Sequence, residues 1–238
     1  MKTIAIIPAR AGSQGVKNKN IRLVGGIPLI CHTIIAARSS GIYNDVIVTT
    51  DSSEIAKIAR DAGASVPFLR SDQLANNKAL AVDVMVDTLK RLDAKYSNDS
   101  YFCMLQPTTP LRSAQDCVNV HEMMMSEPAH SVISVTECSE HPYKMVRKSS
   151  SQLRLNFLDW PVENPPRQSL PKLFIYNGAF YAANINLFLD QKTFVYEQTK
   201  LYEMPKQRSV NIDDEIDLVL ADALLKNLDN LSLPINNI

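Results

Sequence analysis

Residues 4–20 read IAIIPARAGSQGVKNKN, a short apolar run that leads directly into a basic loop with two glycines. The run 4–7 is continuous and rich in β-branched residues, which predicts a buried strand ending near Pro8, because proline cannot donate to a strand ladder. Gly12 and Gly15 would let backbone amides approach a ligand where a side chain would be in the way. Three cations lie in the same stretch, namely Arg10, Lys17 and Lys19. A loop of this kind after a first strand is suited to bind phosphate.

The loop lacks the spacing of two common phosphate-binding motifs. A Walker A loop closes on Gly-Lys-Ser/Thr, whereas Gly15 is followed by Val16 and Lys17. The dinucleotide fingerprint G-x-G-x-x-G is not matched by Gly12 and Gly15 either. On charge alone, an ordinary loop with solvated lysines would be the better interpretation, because lysine side chains are mostly exposed.

Beyond the loop, short apolar strands alternate with amphipathic helices. Apolar runs predict further strands at 45–50, 65–69, 101–105 and 131–135. Helical periodicity and capping residues predict helices at 28–37, 54–62, 79–94 and 113–125. This alternation predicts a mostly parallel sheet with right-handed crossovers and helices on both faces, an α/β fold.

The alternation breaks at about residue 137. The stretch 137–172 holds five prolines and the only tryptophan, Trp160, and its polar and apolar residues alternate. A long segment without helical periodicity inside an α/β chain is typical of an insertion. We expect this insertion to resemble a β-hairpin.

The composition excludes several classes of protein. The 238 residues carry a formal net charge of zero, so no broad basic face for nucleic acid is expected. The apolar run before Arg10 is shorter than the roughly 7–15 residues of a signal-peptide core, and no segment approaches the ~20 apolar residues of a membrane span. The four cysteines form no CxxC pair and predict free thiols in a reducing compartment. We therefore expect a cytoplasmic protein without nucleic-acid or membrane partners.

Two motifs carry a resemblance to a known family. The loop reads Pro8-Ala9-Arg10-x-Gly-Ser13-x-Gly15-x-x-x-Lys19-Asn20, and residues 106–112 read Gln-Pro-Thr-Thr-Pro-Leu-Arg. Both resemble the acylneuraminate cytidylyltransferases, also called CMP-sialic acid synthetases, with Thr109 in place of the family's serine. The resemblance extends from Ile4 to Leu218. It implies a three-layer αβα sandwich with a Rossmann-like nucleotidyltransferase sheet, one domain over 1–228, a small β-rich dimerisation insertion at about 137–172, and a tail at 229–238.

The resemblance implies a reaction of CTP with an acidic nine-carbon sugar, N-acylneuraminate, that gives CMP-N-acylneuraminate and pyrophosphate. It places Lys19, Arg10 and Asp213 in catalytic roles. It implies that CTP is bound by a set of residues from the loop and from later segments: Ala9, Arg10, Ser13, Lys19, Asn20, Arg70, Ala79 and Gln106.

On the sugar side, the family's His-Pro-x-Lys, Pro-Arg-Gln-x-Leu-Pro and Asn-Gly-Ala-x-Tyr motifs are matched at 141–144, 166–171 and 177–181. They imply that the sugar is bound by Gln106, Thr108, Lys144, Arg167, Tyr181 and Phe194. In the family the cations of the first two motifs often reach the neighbouring subunit's site, which implies a homodimer. The loop 106–112 offers an amide, two hydroxyls and the guanidinium of Arg112 to a polyhydroxy acid. We interpret His141 as a structural turn residue rather than a general base.

The family's last motif, Asp-Ile-Asp-x-x-x-Asp-Leu, implies a divalent-cation site for Mg²⁺ or Mn²⁺. Here Asn211 stands for the first aspartate and Asp213 is kept. A strand would put both side chains on the same side. Alternatively, the acidic residues from Asp213 to Glu215 open the last helix, where negative charge suits the N-terminus.

Three alternatives stay open from the sequence. The sugar-side departures, such as Val195 where the family has a second aromatic residue, allow legionaminate, pseudaminate or another nonulosonate as substrate. The octulosonate (Kdo) branch fits less well, because its equivalent loop carries a metal-binding aspartate where Gln106 stands. Departures at Gln14, Asn77 and Asn211 would also suit an inactive homologue that only binds nucleotide or sugar.

Overall fold

The computed structural model describes residues 2–13, 15–92, 96, 100–126, 129–145, 147–149, 152–154 and 166–227. Its strands are β1 (Thr3–Pro8), β2 (Leu23–Val24), β3 (Ile27–Pro28), β4 (Asp45–Thr49), β5 (Tyr101–Met104), β6 (Ser131–Glu137), β7 (Arg147–Ser149), β8 (Gln152–Arg154), β9 (Phe174–Asn184) and β10 (Thr199–Glu203). Its α-helices are α1 (Leu29–Ser39), α2 (Ser53–Asp61), α3 (Ala81–Leu92), α4 (Ala114–Met125), α5 (Ile185–Gln191) and α6 (Glu215–Lys226).

Six of these strands form the central sheet in the order β10-β6-β9-β5-β1-β4. β1 runs parallel to both β4 and β5, and β10 runs parallel to β6, whereas β9 is antiparallel to β5 and β6. The mostly parallel sheet predicted from the sequence is therefore confirmed. Because β1, β4 and β5 point the same way, their carboxyl ends meet at one edge, where open α/β sheets bind ligands.

Helices cover both faces of the sheet, which confirms the three-layer architecture. Ala5 and Ile7 of β1 belong to a core that includes buried residues of α1, α2 and α4. Ile4 and Ile6, which occupy the alternate positions of the same strand, belong to a second core with buried residues of α3 and α5. The alternation follows from the two-residue period of a strand, which sends neighbouring side chains to opposite faces.

Three helices begin at capping residues that can be recognised in the sequence. Ser52 accepts a hydrogen bond from the N–H of Ile55 and caps α2. Ser113 and Asp116 form a reciprocal capping box at the start of α4, as the sequence predicts for Ser113. Asp214 and Asp217 form a second capping box at α6, so the acidic residues there do open the last helix.

The strand predicted at 65–69 is wrong. Only two isolated parallel bridges occur there, Ile47 with Ser65 and Thr50 with Leu69. Pro67 lies between them and has no N–H for a ladder, which explains why the pairing does not continue.

The hairpin predicted within the insertion occurs in the described residues, whereas the insertion's role in dimerisation stays a prediction. β7 and β8 pair as an antiparallel hairpin. Trp160 and the tail at 229–238 lie outside the described residues. Cys31, Cys103, Cys117 and Cys138 are free thiols, as expected. Among the described residues no helix is both long and apolar enough to span a membrane.

Candidate active site

A cavity of about 400 Å³ opens at the carboxyl ends of β1 and β5. Its lining comes from four separate stretches of the chain, with mixed polar and apolar character. The residues are Pro8, Arg10, Ser13, Gly15, Lys19, Asn20, Arg70, Leu74, Asn76, Asn77, Ala79, Ala81, Val84, Gln106, Pro107, Thr108 and Asp213. The fold thus brings together residues that are up to two hundred positions apart in the sequence.

Most residues predicted to bind nucleotide lie at this cavity. Seven of the eight line it: Arg10, Ser13, Lys19, Asn20, Arg70, Ala79 and Gln106. Ala9 does not line it, because its side chain is fully buried and its N–H donates to the Thr49 carbonyl at 3.0 Å. Ala9 therefore extends the pairing of β1 with β4 and fixes where the loop begins.

Lys19 is held at the base of the loop and is only 9% exposed. Its ammonium donates to the Ile212 carbonyl at 2.6 Å and to the Asp213 carbonyl at 3.3 Å, and lies 3.7 Å from the Asp213 carboxylate. Its backbone N–H donates to Ser13 Oγ at 3.1 Å, which closes the loop on itself. A buried ammonium whose partners are mainly carbonyl oxygens keeps most of its charge for a phosphate at the cavity.

Gly15 is required by a close backbone approach. A Cβ added at Gly15 would lie 1.9 Å from the Asp213 carbonyl oxygen, far inside any real contact. The segment with Asp213 is held from the other side as well, because the N–H of Ile212 donates to the Thr108 carbonyl at 2.8 Å. Gly15 thus serves packing of the loop against a distant segment.

Asn211 and Asp213 meet, although their segment is not a strand. Asn211 Nδ2 donates to Asp213 Oδ2 at 2.9 Å. Asn211 Oδ1 is buried and has no hydrogen-bond partner in the described structure, while the Asp213 side chain is 76% exposed. One carboxylate and one unpaired amide oxygen are a modest donor set that suits a hard cation.

The loop 106–112 differs from the prediction in one respect. The Arg112 guanidinium is 2% exposed and points into the core, where it donates to the carbonyls of Ala179 and Gln106 and to Thr33 Oγ1. Burial lowers the pKa of Arg112, and the Phe180 ring lies 5.0 Å from the guanidinium. The expectation that this guanidinium faces a ligand is wrong, because four hydrogen bonds turn it inward to fix the loop.

Thr109 is likewise fully buried and donates to the Asn177 carbonyl at 3.1 Å. Gln106 and Thr108 therefore remain as the loop's groups at the cavity. A Cβ at Gly178, whose φ is +78°, would lie 2.5 Å from Gln106 Oε1. The bulge predicted at Asn177-Gly178 occurs, with a shift in pairing between β6 and β9, and leaves room for the Gln106 amide.

The segment 70–79 forms another part of the cavity wall. Arg70 is buried and donates to the carbonyls of Thr49 at 2.8 Å and Leu74 at 3.3 Å. Burial lowers the pKa of Arg70, and the nearby Arg10 charge lowers it further. Arg10 Nη1 donates to Asn77 Oδ1 at 2.6 Å across the cavity. Sequence reasoning noted Asn77 only as a departure from the family, because no local pattern links residues 10 and 77.

The residues predicted to bind the sugar do not all lie at the cavity. Gln106 and Thr108 line the cavity, whereas Lys144 is exposed on a turn at Pro142–Lys144, and Tyr181 is half-buried in β9. Phe194 is buried against the rings of Phe102, Phe188 and Tyr181. Arg167 begins a turn at Arg167–Ser169, and its side chain lies outside the described part.

His141 has the structural role interpreted from the sequence. Its Nδ1 accepts from the Tyr143 N–H at 3.3 Å, and its Nε2 lies 3.1 Å from the Pro171 carbonyl. With Nδ1 accepting, Nε2 carries the proton and donates to Pro171. The side chain thus caps the turn that carries Lys144 and joins it to the chain near β9.

The sequence of this chain matches a known protein family over most of its length. The profile of the family described as Cytidylyltransferase matches residues 4–228. N-acylneuraminate cytidylyltransferase of Streptococcus agalactiae serotype V is 33% identical over 221 residues, which cover 92% of this chain and 52% of that protein. The chain thus spans about half the length of such longer relatives.

Two other comparisons cover both chains almost completely. CMP-N,N'-diacetyllegionaminic acid synthase of Legionella pneumophila is 35% identical over 237 residues, or 95% of this chain and 97% of that protein. A solved structure of CMP:2-keto-3-deoxy-manno-octonic acid synthetase complexed with CTP superposes with a TM-score of 0.71 at 16% identity and covers 96% of this chain and all of that one. At that identity the likeness shows a shared fold.

Proposed function

This chain belongs to the cytidylyltransferase family, and we propose that it transfers a cytidylyl group from CTP to an acidic nine-carbon sugar, N-acylneuraminate, to give CMP-N-acylneuraminate and pyrophosphate. One observation carries the proposal. Arg10, Lys19 and Asp213 converge on a cavity at the carboxyl ends of parallel strands, and Lys19 is fixed there by backbone carbonyls.

In the proposed reaction the oxygen of the sugar's anomeric hydroxyl forms a bond to the α-phosphorus of CTP. The bond from the α-phosphorus to the oxygen bridging the β-phosphorus breaks, pyrophosphate leaves, and the hydroxyl proton passes to water. Such transfers depend mainly on positioning and on neutralising charge. Lys19 and Arg10 would hold the phosphates and stabilise the leaving pyrophosphate.

Asp213, with Asn211 Oδ1, would hold the expected Mg²⁺ or Mn²⁺. The exposed carboxylate and the unpaired buried amide oxygen fit a hard cation. When bound, the cation would neutralise charge on phosphate oxygens. Asn211 supplies no negative charge, so we expect a site that is weaker than one built from two carboxylates.

Gln106 and Thr108 would contact the sugar within the same chain, and Tyr181 and Phe194 would support its acyl side. We propose that Lys144 and Arg167 act in the neighbouring subunit of a homodimer, where cations can bind the sugar carboxylate. The position of Lys144 away from the cavity is consistent with this. Exposed apolar side chains beside the insertion also support a dimer: Met145, Phe174, Ile175 and Tyr176.

A legionaminate-type sugar is the second candidate substrate. The Legionella relative named for N,N'-diacetyllegionaminic acid matches nearly the whole of both chains. The sugar side also has an exposed Val195 beside Phe194. Pseudaminate is a further nonulosonate in the same group, since a Campylobacter jejuni relative named for it is 27% identical. The four free thiols suit the reducing cytoplasm, where we expect the reaction to occur.

The decisive experiment is pyrophosphate release from CTP and Mg²⁺ with a panel of N-acylneuraminate, legionaminate, pseudaminate and Kdo. Release with one nonulosonate at least tenfold faster than with the others identifies the substrate. Release with Kdo alone would refute the proposal. CTP binding without release for any sugar would indicate an inactive homologue.

A further inference from the structure

A buried ion pair ties the segment before Asp213 to the start of α4. Arg208 ends the turn Lys206–Arg208, and its Nη1 donates to Asp116 Oδ2 and, at 3.3 Å, to Ser113 Oγ. The Arg208 side chain is 11% exposed and the Asp116 side chain 2%. Neither residue is among those that line the cavity. Any effect of the pair on the cavity must therefore pass through the segments that it joins.

Asp116 is a fixed acceptor for this guanidinium. Its Oδ2 also accepts from the N–H of Ser113 at 2.9 Å, within the capping box of α4. Its Oδ1 accepts from the Tyr202 hydroxyl at 2.7 Å. Burial and the nearby Asp116 carboxylate raise the pKa of Tyr202 to about 12, so the hydroxyl keeps its proton and donates. Contacts from α4 and β10 thus hold the carboxylate in place without Arg208.

The ion pair joins two segments that line the cavity. Ser113 directly follows the loop 106–112, whose Gln106 and Thr108 line the cavity. Arg208 directly precedes the segment 209–213, whose last residue also lines it. Residues 209–213 form neither helix nor strand, so contacts with other segments determine their course.

The segment 209–213 in turn holds Lys19. The carbonyls of Ile212 and Asp213 accept from the Lys19 ammonium at 2.6 Å and 3.3 Å. The ammonium is therefore placed by backbone atoms of a segment that starts at Arg208. A shift of this segment would move the charge that faces the cavity.

Stability alone does not explain a buried pair of this kind. The cost of removing two charges from water offsets much of their attraction, so a buried ion pair contributes little more than apolar side chains of similar volume. Arg208 Nε is also buried without a hydrogen-bond partner in the described structure, which adds to that cost. The guanidinium does supply a fixed position, because its planar donors meet a carboxylate in few orientations.

We propose that Arg208 is a positioning residue: its ion pair with Asp116 sets the course of 209–213 and thereby places the Lys19 ammonium for the phosphates of the nucleotide. This role deepens the proposed function and rests on it, because Lys19 is assigned there to the triphosphate. Without the guanidinium, the turn Lys206–Arg208 loses its contact with α4, and the carbonyls that hold Lys19 shift with the segment. A displacement of about 1 Å at a reacting group lowers the rate about 10²-fold.

The test compares a ligand that has phosphates with one that lacks them. Calorimetry would measure the Kd of CTP and of cytidine, and pyrophosphate release would give kcat with the fastest-reacting nonulosonate. We expect Arg208→Met to weaken CTP binding about tenfold and to lower kcat about 10–100-fold, because the displaced ammonium loses contact with the phosphates. Cytidine binding should stay within about twofold, because cytidine presents no phosphate to Lys19. Arg208→Lys keeps the charge and should lie between wild type and Arg208→Met.

Two variants separate positioning from stability. Tyr202→Phe removes a hydrogen bond to the same carboxylate and leaves Arg208 paired, so it should leave the affinities for CTP and cytidine unchanged. Arg208→Met leaves a buried carboxylate without its cation and can unfold the protein. Combining it with Asp116→Asn removes both charges and should restore stability. We expect CTP binding of this double variant to stay about tenfold weaker than that of wild type.

A double-mutant cycle links the effect to Lys19. In a Lys19→Ala background, Arg208→Met should cause no further loss of CTP affinity, because the coupling between the two residues is then absent. A further tenfold loss in that background would show that Arg208 acts apart from Lys19 and would overturn the proposal.

Three other results would overturn it: wild-type CTP affinity and kcat in Arg208→Met, an equal loss of affinity for cytidine and CTP, or full recovery of CTP affinity in the double variant Arg208→Met/Asp116→Asn. All three leave the proposed reaction standing if the wild-type protein releases pyrophosphate. Conversely, the expected loss of CTP affinity without pyrophosphate release from any sugar supports the role of Arg208 and refutes the reaction. A wild-type protein that does not bind CTP would refute both.

Discussion

The proposed nucleotide side and the proposed sugar side of this molecule are built in different ways. The proposed nucleotide side comes from the loops that follow β1 and β5 and from the segment 70–79, and its cations meet at one cavity within one chain. The proposed sugar side depends on the insertion, where Lys144 is exposed, on β9, and on Phe194 after α5, which is buried in an aromatic cluster and does not line the cavity.

The difference shows that a parallel sheet can bring distant residues together without a second subunit. Parallel strands deliver their following loops to one edge, so residues far apart in sequence converge without further help. The described part of the insertion lies outside that pattern, and we propose that a second subunit completes the site. Four predictions test this contrast, from the largest expected effect to the smallest.

Lys19→Ala should lower turnover about 10³-fold, because one charge-stabilising donor near the transferred group is worth about 10²–10³-fold in rate. The measurement is pyrophosphate release at saturating CTP and sugar, with circular dichroism to verify the fold. Lys17→Ala is the matched control, since Lys17 is exposed and does not line the cavity. Near-normal turnover of Lys19→Ala, or an equal loss for Lys17→Ala, would contradict the assignment.

Arg112→Lys should lower the free energy of unfolding by about 3 kcal/mol, because lysine cannot replace several fixed donors and leaves buried carbonyls unpaired. Urea unfolding would measure it, and the loss should not depend on protein concentration if the nucleotide side is held within one chain. Arg22→Lys is the control, because the Arg22–Glu215 pair is exposed and worth less than about 1 kcal/mol. A loss for Arg112→Lys below 1 kcal/mol would contradict the buried scaffold role.

Lys144→Ala should raise the KM of the sugar by about 10–100-fold and leave the Kd of CTP unchanged, because a lost charge contact to a carboxylate costs about 1.5–3 kcal/mol. Mixing this variant with Lys19→Ala tests the subunit assignment. If Lys144 acts across a homodimer, random exchange of subunits should restore about one quarter of the wild-type sites. Persistent inactivity after verified exchange would place Lys144 in its own subunit's site.

Gly15→Ala should weaken CTP binding about tenfold and lower the free energy of unfolding by about 1–3 kcal/mol, because overpacking shifts the backbone. The clash is with the Asp213 carbonyl, at 1.9 Å from the added Cβ. Gly12→Ala is the matched control, since a Cβ there meets nothing within 4 Å. Equal effects of the two variants on CTP affinity would show that backbone freedom, and not the approach of Asp213, explains Gly15.

Local features of the site followed from the sequence. The strand–loop at 4–20 and the cap at Ser113 are signalled by neighbouring residues, and the structure confirms them. Arg112 and the segment 65–69 were predicted incorrectly for a common reason. Whether an arginine in a loop faces a ligand or the core, and whether an apolar run pairs fully, depends on residues far away in sequence.

The sequence by itself determined most of the strands and helices, the glycine-containing loop after β1 and the family, since each of these depends on residues within a few positions of one another. Only the tertiary structure decided that Asp213 packs against Gly15, that Arg112 turns inward, and that Asn77 holds Arg10. These contacts arise when the sheet brings separate loops to one edge. Their energies depend on burial and distance, which no local pattern of residues contains.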